Sequence, residues 1–284
     1  MSATVRANRP DQAAGRAVPR MMGTGLLDAL HAEWTKLRTI AGPGWLLLGV
    51  VALTIGLGVA DVGATHCPAG PHCEVDPTKL SLTGIQFGQA AVAVLAVLTI
   101  CNEYGTGMIR VTLAAMPRRE LVFAAKAIVV TGLVLVAGAL AAGGSVLAGD
   151  LILPGHGFTA ARGFHVVSLS YGPTLRAVVG SALYLGLIAL LSLGIAAMIR
   201  DSAVSIGAAL GVLYLFPIIL AFVTNATWQH RLERWTPTVA GLNIEATTGL
   251  RGLPISPWGG LGVLAIWAGV ALLAGGSVLR FRDA

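Results

Sequence analysis

An all-α integral membrane protein is the fold class this sequence predicts, with six transmembrane helices, an N-terminal interfacial helix and a re-entrant hairpin before the last span. Three observations carry that expectation. Of 284 residues, 55% are hydrophobic and only 11% are charged, whereas a soluble domain has about a quarter of its residues charged. Charge-free runs occupy Ile40–Ala60, Leu80–Asn102, Ala127–Gly149, Ala177–Ile199, Ser202–Trp228 and Gly252–Leu279. Each reaches the roughly 20 residues that cross a ~30 Å hydrocarbon core as a helix. Their richness in Leu, Val, Ala and Gly, without strand-like alternation, favours helices over a barrel.

The spans are placed near residues 43–61, 82–102, 124–148, 177–199, 203–223 and 259–279. The last starts at Gly259 because Pro254 and Pro257 interrupt its run. Residues 1–22 are polar and Arg-rich, with Pro10 and Pro19, and read as a disordered cytosolic tail. No apolar core followed by a small-residue cleavage site marks a removable signal peptide. Residues 23–284 then form a single six-span domain.

The net charge of +6 could suggest a nucleic-acid surface, but its distribution points to topology. With both termini inside, Lys36, Arg38, Arg110, Arg118, Arg119, Lys126, Arg200 and Arg280 all fall on the inner side, with the Arg residues of the tail. Lys79, Arg162, Arg176, Arg231, Arg234 and Arg251 fall outside. That bias is the positive-inside pattern and sets both termini at the cytoplasmic face of a plasma membrane. No nucleic-acid partner is expected.

Ahead of the first span, Leu26, Leu27, Leu30, Trp34 and Leu37 recur at helical spacing. Asp28, Glu33, Lys36 and Arg38 occupy other faces, so an amphipathic helix in the inner interface is expected, with Trp34 at headgroup depth. A helix that only packs on the bundle is the alternative. Gly42-Pro43-Gly44 is read as a break before Trp45 opens the first span.

The first outer loop carries His66-Cys67 and His72-Cys73. Cys67 and Cys73 face an oxidising side in this topology, which favours a short disulfide. A zinc or copper site is chemically possible there, but the six-residue offset is no familiar ligand spacing, and no metal is assigned. Cys101 reads as a packed thiol. His156 and His165, in the second outer loop, read as solvated. Arg200-Asp201 joins spans four and five so tightly that they must be antiparallel neighbours. In the third outer segment, Thr236–Leu250 is mostly uncharged, too short to cross twice, and bounded by Trp235 and Trp258, which fits a re-entrant hairpin. Its one acid, Glu245, reads either as a solvated loop carboxylate or as part of an exit path.

Chemistry is conspicuous by absence. The six spans so placed hold no Asp, Glu, Lys, Arg or His except at their limits, which disfavours a proton relay. No HExxH, no G-x-S-x-G and no G-x-x-x-x-G-K-[ST] occurs, so catalysis and ATP hydrolysis by this chain are not expected. Attention moves to the inner loop, residues 103–121. There Met108, Ile109, Val111, Leu113 and Met116 form an apolar surface framed by Arg110, Arg118 and Arg119. That composition suits a docking site on a partner protein; an interfacial helix resting on lipid is the alternative.

The segments Ala32-Glu33-Trp34-Thr35-Lys36-Leu37-Arg38-Thr39, Asn102-Glu103-Tyr104-Gly105-Thr106-Gly107-Met108-Ile109-Arg110 and Ala115-Met116-Pro117-Arg118-Arg119, with the closing Leu279–Ala284, resemble the permease subunits of actinobacterial ABC type-2 exporters. The resemblance covers nearly the whole chain from about Leu26. It implies a six-span permease, paired with a second permease copy and docked through the loop after span two on a separate cytosolic ATPase. It further implies that Glu103, Tyr104, Met108, Arg110, Arg118 and Arg119 lie in or beside the coupling helix. ATP and magnesium would bind to the ATPase, with no cofactor on this chain. Spans one, two and five would line a pathway for a hydrophobic or amphipathic cargo. Two other classes stay open: a non-transporting anchor that recruits an ATPase for signalling or assembly, and a membrane enzyme built on the outer His–Cys cluster.

Overall fold

The computed structural model describes residues 25–39, 41–67, 75–108, 118–162, 164 and 167–281. Among them the regular elements are all helical. α1 is Leu26–Thr39 and α2 is Ala41–Ala64. The second span is built from a short α3, Pro77–Leu82, and α4, Ile85–Gly105. α5 runs over Arg119–Ile152 and α6 over Gly172–Ile199. α7 (Ser202–Leu210) and α8 (Phe216–Ala221) flank a π turn at Gly211–Leu215. α9 (Ala226–Trp235), α10 (Pro237–Leu242) and a 3-10 turn (Asn243–Glu245) precede α11, Pro257–Phe281.

Six of these segments are long and apolar enough to cross a membrane: Gly42–Ala64, Pro77–Gly105, Arg119–His156, Gly172–Ile199, Ser202–Ala221 and Pro257–Phe281. Large apolar side chains face outward along them, including Trp45 and Leu48 on α2, Val136 and Leu140 on α5, and Ile266 and Leu273 on α11. An apolar surface that extensive is not sustained in water. The chain is built as a multi-pass membrane protein.

The spans begin earlier or end later than the charge-free runs predict. Gly42-Pro43-Gly44 does not break the chain; it lies in the first turn of α2, where a proline's missing N–H goes unused. Pro257 likewise opens α11 two residues before the expected start, because proline suits the first helical turn. Asp76 caps α3 by accepting from the Thr78 and Lys79 amides. Most consequential, α4 continues through Glu103 and α5 already includes Lys126, so helical geometry carries charge inward past the limits expected for the spans.

α6 is the hub. Its apolar window is 72% buried, against 22% for α2 and for the fifth span. α4, α5, α7 and α11 pack on it, and Tyr184, Leu185 and Ile188 are fully enclosed. Arg200-Asp201 does join antiparallel neighbours. Arg200 adopts the left-handed conformation that ends α6, and Asp201 caps α7 through the Val204 amide at 2.8 Å. Where α6 meets α11, the backbones touch. A Cβ on Gly194 would stand 2.5 Å from the Ala271 carbonyl carbon, and one on Gly275 would stand 2.7 Å from the Gly194 oxygen. Only hydrogen fits, and the close approach recovers van der Waals contact that lipid tails would otherwise supply.

The fifth span owes its π turn to Pro217. Proline has no N–H for the carbonyl four residues back and collides with it, so the helix widens there. The carbonyl freed is that of Leu213, and the Thr238 hydroxyl of α10 donates to it at 2.9 Å. A local break thereby fastens α10 to the bundle.

Gly275→Leu should wedge α11 from α6 and cost at least about 1–3 kcal/mol by overpacking. Gly143→Ala, with open space around its added Cβ, should be neutral or gain about 0.5–1 kcal/mol by stiffening the unfolded chain. Thermal unfolding of both variants in detergent checks the contrast; equal losses would count against the tight crossing.

Candidate functional site

Helix α1 turns an unexpected face to the bundle. Ala29 and Glu33 are its buried residues, while Leu27 and Trp34 point away and are exposed. Part of the apolar stripe, Leu26, Leu27 and Trp34, is therefore on the outer side of the helix, Leu30 and Leu37 are half-buried, and an acid is on the inner side. The reason is a basic partner. Lys126 of α5 reaches Glu33 Oε2 at 2.5 Å and Glu103 Oε1, at the end of α4, at 2.9 Å. Lys36, one turn beyond Glu33, reaches Glu33 Oε1 at 2.8 Å and Glu103 Oε1 at 3.0 Å. Each ammonium bridges both carboxylates, closing a four-charge ring among three helices. The side chains of Glu33, Glu103 and Lys126 are 3%, 9% and 7% exposed, so water does little of the solvation.

Two like charges at such distances hold together only because the opposite charges alternate with them. Burial works against the ammonium of Lys36, but hydrogen bonding and charge from Glu33 and Glu103 outweigh it and hold its pKa above the ordinary lysine range. That contribution is complete below the ordinary lysine value and is lost only as pH climbs through the raised one. Near neutrality the share supplied by Lys36 is constant.

The ring closes one end of a cleft of about 320 Å³ between α1, α2 and α4. Leu37, Leu46, Leu95 and Leu98 supply apolar walls, and Glu103, Asn102 and Met108 the polar and outer rim. Among the described residues, the buried Glu103 Oε2 has no hydrogen-bond partner. An amphipathic molecule has an apolar bed here with an acceptor at its end.

The loop between α4 and α5 leaves the bundle through two anchored stems. Tyr104, next to Glu103, lies under the Arg200 guanidinium, 5.2 Å from its ring centroid. Arg200 also donates to the Val278 carbonyl at 3.3 Å. On the returning stem, Arg119 donates to the Leu279 carbonyl at 3.3 Å, and Glu120 meets Arg280 at 3.3 Å. The last pair is 67% exposed on both sides and contributes little. Through these contacts the loop's ends touch α1, α5, the α6–α7 corner and the end of α11.

Of the residues singled out by sequence, Glu33, Lys36 and Glu103 meet in one cluster, and Tyr104 and Arg119 stand beside it. Met108 is exposed at the cleft, and Arg38 and Arg118 are exposed on the surface. Arg110 and most of the expected coupling helix lie outside the described residues, as do the tail 1–22 and Cys73. Cys67 is disulfide-bonded and Cys101 is a buried free thiol. Sequence reasoning missed Lys126 and Arg200. Lys126 is a lone cation one residue ahead of a charge-free run, and it moves indoors once α5 is known to start at Arg119. Arg200 is a non-glycine residue at φ 65°, held there by its partners.

At the opposite end, Glu245 is no solvated loop carboxylate. It is 4% exposed at the end of the 3-10 turn after α10, and its Oε1 has no partner. Burial pushes its pKa up to about 8, with Asp76 adding to the shift and Lys79 opposing it. Asp76 holds the segment that follows, accepting from the Thr247 amide at 2.5 Å, the Thr247 hydroxyl at 2.7 Å and the Thr248 amide at 2.9 Å. Arg176 of α6 donates to the Ala246 carbonyl.

Lys126→Ala should cost about 3–5 kcal/mol, because it leaves two buried carboxylates with Lys36 as their remaining counter-charge in the ring. The triple replacement Glu33→Leu, Glu103→Leu, Lys126→Leu, which removes both carboxylates and leaves only the more exposed Lys36 of the ring, should cost less than Lys126→Ala. Unfolding in detergent measures both, and a triple variant as unstable as Lys126→Ala would refute the account. For Glu245, the folded state binds the proton more tightly than the unfolded one. Its stabilisation is complete below the ordinary value of 4.5 and is lost as pH rises through about 8. Glu245→Gln should flatten that decline and exceed the parent at alkaline pH, in a pH series of unfolding temperatures.

No protein-family model matches the chain, and no curated protein matches it.

Proposed function

We propose that this chain is the membrane-spanning permease subunit of an ATP-driven ABC exporter of the plasma membrane, worked by a separate cytosolic ATPase. The observation that carries the reading is the anchoring of both stems of the loop between α4 and α5. Glu103 and Tyr104 tie the outgoing stem to α1, α5 and the α6–α7 corner, and Arg119 ties the returning stem to α11. A push on the loop would move those contacts together and so tilt the helices that bear them. A loop with freely swinging stems would dissipate the same push.

Other features support the reading. Two of the three spans that the resemblance assigns to the pathway are the least covered: the first (α2) and the fifth are each 22% buried along their apolar stretches, while the second is 61% buried. That leaves apolar surface for a second copy of the chain and for lipid. Trp34 and Leu27, outward on α1, suit an interfacial helix at the inner leaflet. α10 and the 3-10 turn after it, buried and lying within Thr236–Leu250, suit a hairpin that dips into the outer leaflet. ATP and magnesium would bind to the partner, and closure of two ATPase subunits would drive the loop. The cleft beside the charge ring, about 320 Å³, would receive part of a hydrophobic or amphipathic cargo.

Affinity purification in mild detergent from native membranes should recover a nucleotide-binding subunit with this chain. Arg110→Glu and Arg118→Glu should cut that recovery several-fold while the chain still inserts. Purification without any ATPase, or recovery unchanged in both variants, would overturn the proposal. An ATPase recovered without any cargo-stimulated turnover would identify a recruiting anchor instead.

A further inference from the structure

The segment after α2 and the turn after α5 bring together two imidazoles 90 residues apart. The Nδ1 atoms of His66 and His156 are 2.6 Å apart, and the rings stack with centroids 4.4 Å apart and planes 11° apart. His156 was expected to be solvated; it is instead paired. Both backbones are fixed. The Cys67 amide donates to the His156 carbonyl at 3.0 Å, and Cys67 is buried and disulfide-bonded. His156 closes the 3-10 turn Leu153–His156, whose Leu153 is buried. The side chains of both imidazoles remain open to ligands at the end of the bundle opposite the charge ring.

At this separation the two Nδ1 atoms cannot both carry a proton. One donates and the other presents its lone pair. Two imidazole nitrogens held that close by rigid backbone form an incipient chelate. We propose that His66 and His156 bind one divalent transition-metal ion of the copper, nickel or zinc class through their two Nδ1 atoms. Among the described residues no third His, Cys, Asp or Glu completes the group. Imidazole ligands of this kind favour these ions over magnesium and calcium.

Metal–nitrogen bonds of about 2.0–2.1 Å at a near-tetrahedral angle put the nitrogens roughly 3.3 Å apart. The rings must part by less than about 1 Å and must also turn, so that the two Nδ1 lone pairs, which face each other across the shared hydrogen bond, converge on the ion. The proton on the donating Nδ1 moves to Nε2 of the same ring, so a neutral pair releases no net proton on binding. The bound ion would cross-link the end of the first span to the end of the third.

The test uses the full chain in detergent, with any affinity tag removed, titrated calorimetrically with Cu²⁺, Ni²⁺ and Zn²⁺, and with Mg²⁺ as control. One transition-metal site is expected at about pH 7.5, weakened at least roughly tenfold in His66→Ala and in His156→Ala. Electron paramagnetic resonance of the Cu²⁺ form should show two imidazole nitrogens. His66→Gln and His156→Gln, which keep a polar side chain, serve where an alanine variant fails to fold. Absence of binding, binding unchanged in either histidine variant, or a Cu²⁺ spectrum with fewer than two imidazoles would each overturn the site. Stability that tracks pH but ignores metal would assign the pair to proton sharing alone.

Discussion

The alternating ring of Glu33, Lys126, Glu103 and Lys36 is the constraint on which the rest of this end of the molecule depends. An isolated charge at such burial would be neutralised or expelled, because the desolvation of one ion costs several kcal/mol. Four together, with each ammonium shared between both carboxylates, satisfy one another and leave a single open oxygen on Glu103. The ring can form only if α1 presents Glu33 inward, α4 extends to Glu103 and α5 begins early enough to carry Lys126. It therefore fixes the rotation of α1 and the lengths of the second and third spans together. It also explains why α1 exposes Trp34 and Leu27 on its other side.

The opposite end is organised differently. There the fastening is by single hydrogen bonds to groups that helix geometry leaves free. The carbonyl released by Pro217 takes the Thr238 hydroxyl, and Asp76 caps α3 while it also holds Thr247 and Thr248. Glu245 remains among them as a buried acid whose protonated form burial favours. The His66–His156 contact joins the remaining loops of that end. One end is a closed electrostatic clamp; the other is a set of separable ties around titratable groups.

Between these ends lies α6, the enclosed helix on which four others pack, with Gly194 against α11 and Arg200 at its terminus beneath the loop stems. A displacement of the loop stems reaches α6 through Arg200 and α11 through Arg119 and Arg200. The tight α6–α11 crossing, where no side chain separates the backbones, favours movement of the two as one body. The more loosely covered α2 and fifth span are then the elements with room to shift.

Composition and run length by themselves determined the class of this protein: all-helical, six spans, with the tight Arg200-Asp201 corner read from two residues. Those features follow from local rules, since a bilayer demands about 20 apolar residues per helix and a two-residue link leaves no other neighbour. The residues of the inner site were also marked, with Glu33, Lys36 and Glu103 named for their motifs, but as parts of separate elements with exposed charges. Only the tertiary structure decided that they meet, because the partner that draws them inside, Lys126, lies on another helix and its burial depends on where that helix starts. The same holds for Glu245, whose environment comes from α3 and α6, and for His156, which meets His66 across 90 residues. Periodicity reports which face of a helix is apolar; it cannot report that a buried charge will outcompete that face when its counter-charges wait across the interface.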